Sequence, residues 1–448
     1  MEPSGAALFT DLYELTMLQA YHAEGMTETA VFDLFVRGLP QQRNFLLACG
    51  LDDALAYLEG LSFSPDALDY LDSLDLFAPD FLHQLASFRF RGSVRAVPEG
   101  TPVFAGEPIL EVIAAIPEAQ FVETYLLNQV TFQTIIASKG ARVVQAAAGR
   151  PVIDFGARRT HGTDAALKAA RALYMAGLAS TSLVLAGQRY GIPVTGTMAH
   201  SYIEAHEREM DAFRAFMARY PETVLLVDTY DTEDGVRNVI RLAQEMGEGF
   251  RARGVRLDSG DLTQLAFTTR RMLDEAGLQR LGVVASGGLD EYRIDRMLRA
   301  GAPVSVFAVG TNAGVSSDAP KLDSAYKLVE YAGRGRIKLS TEKATWPGKK
   351  QVVRRFKDGL AAGDVIASHD ERLDGEPLLV EVMRDGVRLP AGRVALAESR
   401  ERARAAIAAL PERVRALEPA RPPYPVQISA GLEAERLRIR EALGYHAG

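Results

Sequence analysis

Between residues 152 and 309 the chain repeats one layout. Short apolar runs alternate with stretches long enough to be helices: Val152 to Phe155, Gly177 to Ser180, Ile192 to Val194, Val224 to Val227, Val255 to Leu257, Gly282 to Ala285 and Val304 to Val309. Strands that are apolar on both faces and separated by helices belong in a parallel sheet covered on both sides, and this many in succession favour an α/β barrel over an open sheet. Nearly every run ends in polar or glycine-rich residues: Asp154-Phe-Gly-Ala-Arg-Arg159, Ser180-Thr-Ser182, Thr195 to His200, Asp228-Thr-Tyr-Asp231, Arg256-Leu-Asp-Ser-Gly-Asp261, Ser286-Gly-Gly288 and Gly310-Thr-Asn-Ala-Gly314. In a parallel barrel these ends share one mouth, the place where ligands bind.

At 448 residues the chain exceeds what one hydrophobic core usually organises, so the barrel needs a partner domain. Leu8 to Glu24 has a helical apolar spacing through Leu8, Leu12, Leu15 and Leu18, with Tyr13 on another face, and Ala30 to Val36 reads as a strand. Between Phe88 and Ile116 the texture is one of short strands broken by glycine and proline. The division expected is an N-terminal α+β domain over 1–117, the barrel over 118–320, a return to the first domain over 321–370, and a helical C-terminal appendage packed on the outside over 371–448. The return segment carries lysines at 321, 327, 338, 343, 349 and 350.

Charge and cysteine content narrow the function. The 51 basic and 58 acidic residues leave a net charge of -7, which argues against nucleic acid as the main partner. Cys49 is the single cysteine, so there is no disulfide framework and no cysteine-rich zinc site. No apolar run is long enough to span a bilayer, and the N-terminus lacks a basic region followed by an apolar core. A cytoplasmic, unanchored protein is expected.

At the mouth, Gly287-Gly288 and Gly310-Thr311 occupy the last two strand ends, where barrels commonly bind phosphate through backbone amides. Arg158, Arg159 and Arg256 suit bidentate recognition of phosphate or carboxylate, or pair structurally with nearby acids. Asp258 and Asp261 suit Mg²⁺ or sugar hydroxyls, or simply cap a helix. Together these point to a phosphorylated sugar with a metal. His200 stands where a strand becomes a helix, and packing, general base and nucleophile all stay open for it. The amphipathic stretch Glu204 to Ala218 follows, and His206 reads as a solvated helix residue.

Taken in order, Thr10-Asp-Leu-Tyr-Glu14, Asp154-Phe-Gly-Ala-Arg-Arg159, Gly196-Thr-Met-Ala-His200, Val255-Arg-Leu-Asp-Ser-Gly-Asp-Leu262, Gly310-Thr-Asn312 and Lys338-Leu-Ser-Thr-Glu-Lys-Ala-Thr-Trp-Pro-Gly-Lys-Lys350 closely resemble nicotinate phosphoribosyltransferase. The match runs from about Thr10 to Arg354. The resemblance implies an irregular α/β barrel joined to an α/β sandwich, in a homodimer whose active sites form between subunits. It implies a reaction joining nicotinate to 5-phosphoribosyl 1-diphosphate, giving nicotinate mononucleotide for NAD biosynthesis and releasing pyrophosphate, with Mg²⁺ and with ATP as co-substrate. Tyr13 of one subunit and Phe155 of the other would sandwich the pyridine ring. Arg256 and Thr197 would help hold nicotinate, Arg158 would sit close by, and Thr311 with the neighbouring glycines, Gly287, Gly288 and Gly310, would take the 5-phosphate. His200 would be phosphorylated by ATP, which would put the enzyme in the ligase class.

Elementary chemistry fits these roles. Loss of pyrophosphate leaves oxocarbenium character on the ribose, so Mg²⁺ on the diphosphate and carboxylates such as Asp258 and Asp261 near the sugar are expected. The ring nitrogen of nicotinate is already a nucleophile, and positioning does most of the work. Where the related nicotinamide enzyme has an aspartate that accepts from the amide, Ser182 carries no charge and favours the acid, although a helix N-cap is the other reading of this serine. The alternatives are a nicotinamide or quinolinate phosphoribosyltransferase, another phosphosugar barrel, or a non-catalytic binding protein.

Overall fold

The computed structural model describes residues 3–340 and 345–445. Lys343 and its neighbours in the Lys338–Lys350 motif therefore lie outside the described residues. The chain divides into two compact units, Met1–Ser138 with Ala319–Gly448, and Lys139–Asp318.

In the first unit the strand Thr29–Val36 is buried along nearly its whole length, as its run of Val, Phe and Leu demands. It pairs antiparallel with Pro108–Ala115 on one side and Ser324–Tyr331 on the other. Around this centre a seven-stranded sheet forms, ending at Arg334–Gly335 on one edge and Val387–Arg388 on the other. A four-stranded sheet holds Lys350–Lys357 and Leu360–Ser368. The stretch 371–448 supplies the expected helices, Leu396–Ala408, Glu412–Arg415 and Ala430–Ala442. It also adds strands that its sequence did not announce: Val380–Arg384 pairs with Ser93–Ala96, and Val426–Ile428 pairs with Leu360–Ser368. The helix Leu12–Ala23 buries Leu15 and Leu18 as expected but leaves Leu12 52% exposed, so the apolar stripe is wider than this chain covers.

The second unit is built on six parallel strands ordered Ser180–Thr181, Val152–Asp154, Val306–Val309, Gly282–Ala285, Gly254–Leu257 and Val224–Leu226. The first and last strands of the repeat pair with each other, Phe307 opposite Val152, as in a barrel, while among the described residues Ser180–Thr181 and Val224–Leu226 remain the two edges of the curled sheet. The ring is irregular at one seam. Ile192 to Val194, expected as a buried strand, contributes a single bridge from Val194 to Thr181, and Val194 is half exposed because no strand pairs with its other side among the described residues. The amphipathic stretch after it is also divided. A short helix His200–Glu204 ends before Glu209–Arg219 begins, with Arg208 in an extended conformation between them. His206 is thus not on a helix; it lies half-buried in the break with Nδ1 2.8 Å from the Tyr202 carbonyl. No described helix is long and apolar enough to cross a membrane.

Candidate active site

Arg256 sits on the inner strand Gly254–Leu257, which is buried throughout. Its guanidinium makes three hydrogen bonds that knit the mouth together: Nε donates to Ser286 Oγ at 2.8 Å, Nη1 to Thr197 Oγ1 at 3.0 Å and Nη2 to Asp258 Oδ1 at 2.6 Å. The same group lies over the Phe155 ring, 5.2 Å from its centroid. Three strand ends distant in sequence thus converge on one cation. Because a guanidinium has five N–H donors, two remain for a ligand.

Asp258 Oδ1 also accepts from Ser286 Oγ at 2.5 Å. Burial works to raise this carboxyl, but the bonds from Ser286 and Arg256 outweigh it and hold Asp258 below the usual carboxylate range. His200 opens the short helix His200–Glu204. Its Nδ1 is 3.1 Å from Thr229 Oγ1, and its Nε2 lies 3.9 Å from Asp258 Oδ2. The imidazole is therefore oriented by one nitrogen while the other faces the carboxylate.

The glycine loops are laced together. Gly287 has φ +89°, and a Cβ there would stand 1.8 Å from the Asp258 carbonyl oxygen, so only glycine lets this loop close onto the Asp258 strand end. Gly288 is likewise left-handed, at φ +60°. Gly310 precedes the short helix Thr311–Gly314, and Asn312 Nδ2 donates to the carbonyls of Gly288 at 3.2 Å and Leu289 at 3.3 Å. Beneath Phe155, the buried Asp154 accepts from Thr181 Oγ1 at 2.7 Å and from the Gly156 amide at 2.8 Å. Burial pushes its carboxyl up against the pull of those two bonds.

The other expected residues take no part in these contacts. Asp261 is exposed and caps the helix Leu262–Glu275, its Oδ1 accepting from the Thr263 and Gln264 amides at 3.0 and 3.2 Å, so the capping alternative is realised and only Oδ2 is left over. Ser182 is exposed and does not cap; Leu183 holds the N-cap position of the next helix, and its amide donates to Thr181 Oγ1 at 3.1 Å. Arg158 and Arg159 are exposed on the turn Ala157–Arg159. Tyr13 belongs to the first unit, 48% exposed, with its hydroxyl pushed up by burial and then by Glu123 and Glu14.

Three residues of the strand ends expected at the mouth carry roles that the sequence did not assign. Ser286 bridges Arg256 and Asp258. Thr229 orients His200. Asp228 accepts from the Asp258 amide at 2.9 Å and from Ser259 Oγ at 2.6 Å, while its Oδ1 is buried without a hydrogen-bond partner among the described residues. The available signal was position: each stands just beyond an apolar strand, as Asp258 does. Among the described residues no group of three or more His, Cys, Asp or Glu side chains is placed to hold a metal ion.

This mouth has the chemistry to fix a small anion, stack a ring and keep a carboxylate ionised beside a histidine. Residues 8–131 match the family model described as the nicotinate phosphoribosyltransferase N-terminal domain. A Mycobacterium tuberculosis protein named nicotinate phosphoribosyltransferase pncB2 is 52% identical over 436 residues, covering 97% of this chain and 94% of its own. A Bacillus subtilis nicotinate phosphoribosyltransferase is 41% identical over 83% of this chain and 78% of its own. The crystal structure of human nicotinic acid phosphoribosyltransferase superimposes with a TM-score of 0.85 at 29% identity, covering 95% of this chain and 98% of that one.

Proposed function

The chain belongs to the nicotinate phosphoribosyltransferase family, and on that premise we propose that it joins nicotinate to 5-phosphoribosyl 1-diphosphate in the cytoplasm, forming nicotinate mononucleotide and pyrophosphate for NAD biosynthesis, with ATP hydrolysis coupled through His200. The observation that carries this reading is Arg256, held by Thr197, Ser286 and Asp258 over the face of Phe155 with donors to spare. A nicotinate ring stacked on Phe155 brings its carboxylate within reach of that guanidinium, and Ser182 adds no negative charge to repel it.

Arg256, Thr197 and Phe155 orient the pyridine so that its nitrogen lone pair meets the anomeric carbon. As the new C–N bond forms, the bond to the diphosphate oxygen breaks, and the ionised Asp258 stabilises the positive charge that develops on the ribose. The backbone of Gly287, Gly288, Gly310 and Thr311 holds the 5-phosphate, with Arg158 nearby. Asp258 and Asp261 each keep an oxygen outside their hydrogen bonds that would serve Mg²⁺ together with phosphate oxygens of the substrate. When bound, the ion neutralises charge on the departing pyrophosphate.

With the proton on Nδ1 and bonded to Thr229, His200 offers the Nε2 lone pair to the γ-phosphorus of ATP. The new P–N bond forms as ADP departs, and water later removes the phosphoryl group. Bond formation between nicotinate and ribose does not require this step; the coupling drives it forward. Leu8, Phe9, Leu12 and Tyr13 are each more than a third exposed near the N-terminus, which supports a homodimer in which Tyr13 of one copy closes over the ring on Phe155 of the other.

The test offers the protein Mg²⁺, 5-phosphoribosyl 1-diphosphate and ATP with nicotinate, nicotinamide or quinolinate. Product from nicotinate alone is expected. Product from nicotinamide instead would overturn the argument from Arg256 and Ser182, and no product from any pyridine would leave a binding protein.

A further inference from the structure

Lys139, on the helix Glu123–Ala146 where it enters the second unit, is 1% exposed, and Glu291 is fully buried. A buried ammonium persists only where carboxylates and hydrogen bonds hold it. Lys139 Nζ lies 2.5 Å from Glu291 Oε2 and 2.7 Å from Asp318 Oδ1. Arg142 completes the cluster, with Nε 2.9 Å from Glu291 Oε1 and Nη2 2.9 Å from the Tyr292 hydroxyl. Two cations thus face two carboxylates with both oxygens of Glu291 occupied.

The positions of the two acids give the cluster its meaning. Glu291 is the first residue of the helix that follows Gly287-Gly288, and Asp318 ends the segment that begins at Gly310-Thr311. Toward the mouth, Asn312 ties these loops to each other through the Gly288 and Leu289 carbonyls. At their far ends a single ammonium ties them again. We infer that Lys139 is a positioning residue for phosphoribosyl recognition: it sets the spacing between the two glycine loops without touching the substrate. The inference rests on the reading that these loops hold the 5-phosphate.

Three proteins test it by calorimetric binding of ribose 5-phosphate and of nicotinate to the full chain, alongside thermal unfolding and steady-state kinetics. They are the wild type, Lys139→Met, and Lys139→Met with Asp318→Asn, which restores charge balance while sparing the Arg142–Glu291 pair. The single variant is expected to melt early. The double variant is expected to recover most of the melting temperature, yet to bind ribose 5-phosphate about tenfold more weakly and to show a correspondingly higher KM for 5-phosphoribosyl 1-diphosphate, with nicotinate affinity within about twofold of the wild type. A double variant that melts like the wild type and binds ribose 5-phosphate equally well would reduce Lys139 to a structural ion pair and overturn the inference. Should the double variant fail to fold, Asp318→Asn alone decides, since it cuts one tie and leaves Lys139–Glu291 in place; unchanged ribose 5-phosphate affinity in it overturns the inference. If the wild type binds no ribose 5-phosphate, the fault lies with the phosphate assignment itself, and the inference falls with it.

Discussion

Replacing Arg256 with lysine keeps the charge and removes the geometry. Arg256 is 9% exposed and spends three donors on Ser286, Thr197 and Asp258 while lying over Phe155. A lysine ammonium cannot present a planar fork or stack on the ring, and from this strand it reaches at most one or two of those partners. At least one and as many as two of the three bonds are therefore lost within the protein. Each has the charged guanidinium as donor, at about 1.5–3 kcal/mol apiece, so the folded state loses on the order of 2–5 kcal/mol. Nicotinate loses the paired N–H contact to its carboxylate, on the order of 2–3 kcal/mol more in the transition state, which is about 30- to 150-fold in kcat/KM. The assay is kcat/KM for nicotinate at saturating 5-phosphoribosyl 1-diphosphate, with a parallel melt to confirm folding. A folded Arg256→Lys protein within about threefold of the wild type would refute the claim that guanidinium geometry holds the pyridine acid.

Three further outcomes follow from the same structure. Gly287→Ala would press a Cβ against the Asp258 carbonyl oxygen at a left-handed backbone position, so it should cost at least about 2 kcal/mol of stability and raise the KM for 5-phosphoribosyl 1-diphosphate, read by thermal melts and kinetics. His200→Ala should still form nicotinate mononucleotide at high substrate without ATP but lose stimulation by ATP; a folded variant with no synthesis under any condition contradicts the division of labour. Glu14 has its carboxyl raised from 4.5 to about 7, first by burial and further by Glu123 and Asp11, with the Gln120 hydrogen bond opposing. Its folded form binds a proton that the unfolded chain has already released, so stability falls as pH rises from about 4.5 to about 7 and is level above, by up to about 3 kcal/mol. Glu14→Gln should therefore raise the melting temperature at pH 8 and leave it unchanged near pH 4; equal effects at both pH values contradict the assignment.

The parts of the site that could be read in sequence are those encoded locally. Apolar runs such as Val255 to Leu257 place the polar residues that follow them at the mouth, so Arg256, Asp258, Thr197 and the glycine loops were found without coordinates. Ser286 and Asp228 were legible as strand-end residues at the mouth, but not their partners, which are set by the sheet order that puts Gly282–Ala285 and Val224–Leu226 on either side of Gly254–Leu257. Asp261 shows the opposite limit, since a helix-capping aspartate and a ligand-binding one look alike until the Thr263 and Gln264 amides are placed. The strands Val380–Arg384 and Val426–Ile428 are short and owe their form to partners far along the chain, Ser93–Ala96 and Leu360–Ser368, so no local pattern announces them. Leu12 matched a buried helical face yet lies exposed, because periodicity records that a face is apolar and not what covers it.

The most direct measurement follows ring-labelled nicotinate and 5-phosphoribosyl 1-diphosphate with Mg²⁺ in the wild-type protein and in Arg256→Lys, quantifying nucleotide and pyrophosphate together. Nicotinate mononucleotide and pyrophosphate are expected in equal amounts from the wild type, with the rate falling sharply in the variant. Pyrophosphate released without a new bond to the pyridine nitrogen, or label that never leaves nicotinate, would contradict the proposed reaction.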